Sequence, residues 1–496
     1  MIRRVPNVFM TCMLLILYLP AMSQGLPVAM TMDEAITTAR NQSVAALEAK
    51  SAFVSSYWAY RSYKASLLPA IYAYGELGSF NRSIARLQNY NTGEYVFTKT
   101  YNMTNSAGLA VSQNIALTGG TLRLYSDLSR TDQFGELKRT TFYSQPLTLY
   151  YNQPLLAYNK FKWQKQISPR EYEKAKRVYL ESMENLTSLA VEYYFDLMGA
   201  QLNYEMAVSN YENTRQMHEI AGKRLPLGSV TRDEYLQLEL RMLRDSLAIN
   251  ENGIKVREAG MMLNSLLGLD EKTEILPVSS SDLPDIMMDY DLVLRKAMEN
   301  SSFNVDNEIK ILTARSDVAQ AKANRGASVA LSATFGLSQS AEKFRSVYRS
   351  PADQEVVGLT FSVPIFDWGL GKGRVKEAEA KEAVVKAQVE QAENDYKRSL
   401  FTAVGQFNSQ RRQCLVSERA SRIAKERYAL TMDKFRNGSA TVTDLNTAQS
   451  ENDEAAVQYI TDLGNYWKYY YTLRKLTLHD FISGSDLDVD YDEMVQ

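Results

Sequence analysis

The chain has 496 residues and a formal net charge of -2, with 45% hydrophobic and 23% charged residues. This charge balance gives no basic field of the kind that nucleic-acid binding needs. The composition is ordinary for a globular protein and argues against disorder over most of the length.

The N-terminus predicts a signal peptide, residues 1–24. Arg3 and Arg4 precede an apolar run at residues 8–19, which is shorter than a membrane-spanning helix. Small residues at 21–23 suit cleavage, so we expect an exported protein; an N-terminal membrane anchor is the alternative. The mature chain keeps a single cysteine, Cys414. Because one cysteine cannot form an intrachain disulfide, packing or oligomerisation must stabilise this long chain.

Two halves of the sequence repeat each other. An offset of 210 residues aligns Pro154 with Pro364 and Gly228 with Gly438. An offset of 258 aligns Lys64-Ala65 with Lys322-Ala323, so the first half holds 48 extra residues between Ala65 and Pro154. The predicted organisation is a first repeat at 25–276, a linker at 277–288, a second repeat at 289–478 and an acidic tail at 479–496.

Each repeat is predicted to contain a helix, a β-region and a helical hairpin, in that order. The predicted helices are about 31–67 and 289–325, the β-regions about 70–151 and 328–366, and the hairpins 165–267 and 372–477. The first helix of each hairpin has about 60 residues, which is ~90 Å at 1.5 Å per residue. Such lengths predict a tall, narrow helical body rather than a compact globule.

The β-regions alternate apolar and polar residues, as at Val329, Leu331 and Ala333. The second repeat has room for two spanning strands, and the first has room for two, or for four if the extra residues form another hairpin. A membrane barrel needs about eight strands. Hence several chains must share one barrel, or there is no barrel.

The chain resembles the TolC family of outer-membrane efflux proteins. The specific segments are FRNGSATVTD at 435–444 and FSVPIFDWG at 361–369, with degenerate counterparts at 225–234 and 151–158. The resemblance implies a mainly α fold with membrane β: a trimeric outer-membrane β-barrel, continuous with a long periplasmic α-helical barrel and built from two repeats per chain. In the family, four strands per chain build a twelve-stranded barrel, so the extra 48 residues are a departure.

The resemblance also implies site residues at the hairpin turns. Asp444 matches a family acid at the tunnel mouth, Glu234 is its counterpart in the first repeat, and Thr447 stands where the family has a second acid. A ring of acids would favour cations there, although helix dipoles also favour acids in any first turn. The predicted adaptor-docking residues are Leu225, Gly228, Ser229, Arg436, Gly438 and Ser439, and the predicted strand-to-helix junctions are Pro154 and Pro364.

The predicted function is the outer-membrane channel of a tripartite efflux pump or type I secretion system, a passive duct that opens when its helical tips untwist. The implied location is the outer membrane of a Gram-negative cell, extending into the periplasm. The implied partners are two further copies, outer-membrane lipid, a periplasmic membrane-fusion adaptor and an inner-membrane RND, ABC or MFS pump. The alternative is a structural or adhesive trimeric coiled-coil stalk with a soluble β-head.

We expect no enzyme activity and no cofactor. His218 and His479 are distant in the sequence, so no Cys/His cluster predicts a metal site. The sequence likewise contains no G-x-S-x-G nucleophile elbow.

Overall fold

A computed structural model describes residues 27–88, 92–135, 138–278 and 283–495. The predicted signal peptide and part of the predicted linker lie outside these residues. The helices are α1 (Met32–Gln42), α2 (Val44–Ala65), α3 (Lys160–Arg224), α4 (Arg232–Leu267), α5 (Tyr290–Asn300), α6 (Ser302–Arg325), α7 (Leu370–Arg436) and α8 (Val442–Thr477). The strands are β1 (Val28–Met30), β2 (Ala70–Gln88), β3 (Tyr95–Ile115), β4 (Gly120–Gln133), β5 (Arg139–Pro154), β6 (Ile275–Pro277), β7 (Ser328–Ala341), β8 (Ala352–Ser362), β9 (His479–Asp480) and β10 (Ser485–Asp486).

The long helices dominate the molecule. α3 has 65 residues and α7 has 67, so each is about 100 Å long at 1.5 Å per residue. α4 and α8 have 36 residues each and return alongside them. Pro169 lies inside α3 without ending it, although its missing N–H leaves the Lys165 carbonyl without the usual intrahelical donor.

The helix that opens each repeat is divided, which differs from the single helices predicted at 31–67 and 289–325. Ser43 and Ser301 have extended backbone conformations and separate α1 from α2 and α5 from α6. The Ser43 hydroxyl accepts a hydrogen bond from the Ala46 N–H and so caps the next helix. The offset of 258 relates the two serines, so the same break occurs once in each repeat.

Six antiparallel strands form the main sheet, in the order β2-β3-β4-β5-β7-β8. This answers the open question of four or six strands per chain. The extra 48 residues of the first repeat contain β3 and β4. β8 ends at Ser362, earlier than the predicted β-region, and Pro364 follows it at the turn toward α7.

One face of the sheet is apolar and the other is polar. Residues paired across antiparallel strands lie on the same face, and the paired residues Ile71, Val111, Leu124, Leu149 and Phe335 form one apolar row across five strands. On the opposite face the Arg123 guanidinium lies 5.0–5.5 Å from the ring centres of Tyr72, Tyr74 and Tyr125.

The core lies around the middle of α3 and α7, where α1, α5 and the C-terminal part of α8 pack against them. Phe407, Tyr466 and Tyr470 are fully buried there. The centre of the Phe407 ring lies 5.0 Å from that of Tyr466 and 6.2 Å from that of Tyr470. Glu184 of α3 is also fully buried and lies 3.1 Å from both Arg40 of α1 and Arg474 of α8. Burial raises the pKa of Glu184 although both arginines oppose the shift. These contacts join the two repeats into one body.

The C-terminal residues pack onto this body. The Tyr491 ring lies 5.2 Å from the Phe53 ring of α2. Asp486 accepts hydrogen bonds from the Lys296 ammonium at 2.9 Å and lies 2.6 Å from His479. Asp486 therefore has a cationic partner, Lys296, on the helical body.

Candidate functional site at the hairpin tips

Two helical turns meet at the end of the molecule farthest from the sheet. We call residues 225–230, between α3 and α4, the first tip, and residues 437–440, between α7 and α8, the second tip. Gly228 has φ +71° and Gly438 has φ +79°. Only glycine takes this conformation without a Cβ penalty, which explains why both turns contain it.

Each tip starts its returning helix with a capping box. Thr231 accepts a hydrogen bond from the Glu234 N–H at 3.2 Å, and its own N–H donates to the Glu234 carboxylate at 2.8 Å. Thr441 and Asp444 repeat this arrangement at 3.1 and 3.0 Å. Both predicted gate acids therefore accept hydrogen bonds at the N-termini of α4 and α8. This local role is the alternative to a gate role that the sequence left open.

Asp444 remains exposed and charged. Hydrogen bonds from the Thr441 hydroxyl, and then from its backbone N–H, hold the pKa of Asp444 below its usual range. Thr447 is exposed one turn further along α8, and its hydroxyl donates to the Thr443 carbonyl at 3.0 Å. A full negative charge at neutral pH thus accompanies each copy of the second tip.

The predicted docking residues lie at the two tips, apart from Arg436, which is the last residue of α7. Leu225 is half-buried in a short 3-10 turn, whereas Ser229, Arg436 and Ser439 are exposed. The Ser439 N–H donates to the Lys434 carbonyl at 2.9 Å and closes the end of α7. At the opposite end of the long helices, Pro154 is the last residue of β5 and Pro364 follows the end of β8.

Arg224 connects the two tips and was not predicted. Its guanidinium donates to the Arg436 carbonyl at 2.8 Å and to the Phe435 carbonyl at 3.4 Å. These carbonyls belong to the last turn of α7, where helix carbonyls lack intrahelical partners. A positive charge also suits the negative end of a helix dipole.

Further polar contacts join the two hairpins above the tips. Asn213 of α3 donates to the Tyr428 hydroxyl of α7 at 3.1 Å, and Asn210 of α3 donates to Asp453 of α8 at 2.6 Å. Arg241 of α4 donates to Asn446 of α8 at 3.4 Å. We call these and the Arg224 bonds the inter-hairpin contacts.

An apolar cluster lies close to the tips, among the inter-hairpin contacts. Its buried members come from both hairpins: Met217, Ala221, Leu238, Met432, Phe435, Val442 and Leu445. Because apolar packing carries little directional preference, the polar contacts must set the register between the hairpins. Sequence offered little signal for them, since the partners are more than 200 residues apart.

The described residues contain no helix long and apolar enough to cross a bilayer. Within the same residues, no cluster of three or more His, Cys, Asp or Glu side chains is arranged to hold a metal ion. Cys414 is buried in α7, where burial raises its thiol pKa to about 12.

Comparison with known proteins supports the class that the fold and the tips indicate. Residues 300–477 match the family model described as outer membrane efflux protein. None of the curated proteins compared is significantly similar to the chain. The second repeat therefore carries an outer membrane efflux protein domain, and the resemblance predicted from the sequence is confirmed.

Solved structures share the fold over nearly the whole chain. The Campylobacter jejuni CmeC outer membrane channel has a TM-score of 0.66 at 16% identity, over 93% of this chain and 88% of that one. The outer-membrane channel OprN has 0.63 at 17%, over 90% and 89%. VceC, an outer membrane protein from Vibrio cholerae, has 0.62 at 14%, over 92% and 97%. The predicted fold class, a β-sheet joined to long helical hairpins in a mainly α chain, is thus confirmed, and the alternative of an adhesive stalk is not favoured.

Proposed function

We propose that three copies of this chain form a passive export duct through the outer membrane and the periplasm. The observation that carries the proposal is the division of the chain: a sheet with one apolar face lies at one end, and paired hairpins about 100 Å long lie at the other. A lipid-facing sheet and a water-filled helical tunnel require this separation.

The tips are the proposed gate and docking surface. Each copy would place one Asp444 carboxylate near the mouth, with Glu234 and Thr447 close to the same level. Three charges around one axis create a negative potential that attracts cations. The exposed residues of both tips would contact a periplasmic membrane-fusion adaptor, which in turn joins an inner-membrane pump of the RND, ABC or MFS class.

Reconstitution in planar lipid bilayers tests this function. The purified protein should be a trimer in detergent and should conduct ions with a preference for cations. Asp444→Ala should weaken both the preference and any block by divalent cations, while the matched exposed variant Asp433→Ala, on the other side of the same tip, should change them less. A water-soluble monomer without conductance would refute the duct. Unchanged selectivity in Asp444→Ala would remove Asp444 from the gate.

A further inference from the structure

The sheet is too small to close by itself. Six strands are fewer than the minimum of about eight for a membrane barrel, and the unpaired edges are the outer sides of β2 and β8. In lipid, an open edge leaves backbone N–H and C=O groups without partners at a cost of several kcal/mol each. A second copy of the chain is the occupant that suits both edges, because the even strand number makes β8 antiparallel to the β2 of a neighbour.

The repeat predicts how the two edges align. β2 and β7 begin at Ala70 and Ser328, which the offset of 258 superimposes. The offset of 210 places β8 on residues 142–152, which lie within β5, and places Pro364 on Pro154. The contact between β5 and β7, where the first repeat meets the second, is therefore a template for the contact between β8 and the β2 of the next copy.

The template gives a specific register. In the β5–β7 contact, Leu149 is opposite Phe335 and Tyr151 is opposite Ala333. Shifted by the offsets, these pairs become Leu359 opposite Leu77 and Phe361 opposite Gly75 of the next copy. Both new pairs fall on the apolar face of the sheet. Leu77 is 86% exposed, Phe361 71% and Leu359 60% in the single chain.

The pairing of Phe361 with Gly75 has a physical rationale. A glycine in a strand leaves a gap in the side-chain layer, and an aromatic side chain on the adjacent strand can cover it. The chain already uses this device within the sheet, since a Cβ on Gly108 would meet the Tyr74 ring at 2.7 Å. Phe361 over Gly75 would repeat it between copies.

We propose that β8 of each copy pairs with β2 of the next in this register, and that three copies thereby close an eighteen-stranded barrel. The strand number rests on the proposed trimer. The β3–β4 hairpin adds two strands per copy to the four that the family resemblance implies. With strands ~4.8 Å apart and tilted by ~40°, eighteen strands give a backbone diameter of about 36 Å, against about 24 Å for twelve.

Cysteine crosslinking in the outer membrane tests the register. The template places Thr360 directly opposite Glu76 of the next copy, on the polar face, from the observed Tyr150–Thr334 pair. In a Cys414→Ala background, the double variant Thr360→Cys with Glu76→Cys should form covalent dimers and trimers on mild oxidation. The control, Thr360→Cys with Leu77→Cys, puts the second thiol on the opposite face and should crosslink at least about tenfold less, because disulfides need a Cβ separation near 4 Å.

The diameter of the unmodified protein gives a second measurement that needs no variant. Electron microscopy of the barrel end should show a ring of about 36 Å with eighteen strands. A conducting trimer with twelve strands, or with equal crosslinking in both double variants, would overturn this inference and leave the proposed function standing. A monomer without conductance would overturn the proposed function itself.

Discussion

Arg224 offers the sharpest test of how the tips are held closed. Replacing it with alanine removes the hydrogen bonds to the carbonyls of Arg436 and Phe435 at 2.8 and 3.4 Å. Opening by untwisting of the tips would break these bonds, because the second tip must move away from the first. Arg224→Ala should therefore favour the open state.

The magnitude follows from the geometry. A hydrogen bond from a charged donor contributes about 1.5–3 kcal/mol when buried. Arg224 is half-exposed and one of its bonds is long, so we take about 1 kcal/mol per copy. Three copies opening together give about 3 kcal/mol, and since 1.4 kcal/mol is a factor of ten, the open-to-closed ratio should rise by about 100-fold.

Single-channel recording in planar bilayers measures this ratio as the fraction of time spent open. Arg224→Lys keeps the charge but loses the forked donor, so an intermediate effect is expected. Lys223→Ala, at the exposed neighbouring position, controls for the loss of a positive charge near the tip. If Arg224→Ala opened no more often than Lys223→Ala, the inter-hairpin contacts would not hold the gate and the reasoning would be wrong.

Three further predictions concern stability. Burial raises the pKa of Asp453, so its contribution to stability is present at low pH and is lost as pH rises through that pKa. Asp453→Asn should therefore weaken the dependence of the melting temperature on pH in this range, which circular dichroism can follow. Gly438→Ala places a Cβ at φ +79° and should cost about 1 kcal/mol, whereas Gly405→Ala, inside α7, should stabilise by up to about 1 kcal/mol in denaturant titrations. Phe407→Ala empties a fully buried site beside Tyr466 and should cost about 3–5 kcal/mol; a loss below about 1 kcal/mol would contradict this core.

Local patterns were enough to predict the long helices and their turns. Helix-forming composition marks α3 and α7, and a glycine marks each tip, because these preferences act within a few residues. The paired offsets also predicted two repeats and located the extra residues. Even the family resemblance depends on such short segments, notably residues 435–444.

The long-range contacts could not be predicted from the sequence. The break at Ser43 and Ser301 was missed because serine is tolerated inside helices as well as at their caps. The strand number stayed open, because alternation describes a strand but not its neighbour. Arg224 went unnoticed, since its partners are backbone carbonyls more than 200 residues away and any residue type supplies a carbonyl.

The sequence by itself determined the long helical hairpins of this protein, the repetition of its halves and the family that it resembles, because all three depend on local composition and spacing. Tertiary structure alone decided that β3 and β4 enter the main sheet between β2 and β5, and that Arg224 joins the two tips. These depend on which distant segments become neighbours, and the free energy of that choice is spread over the whole fold.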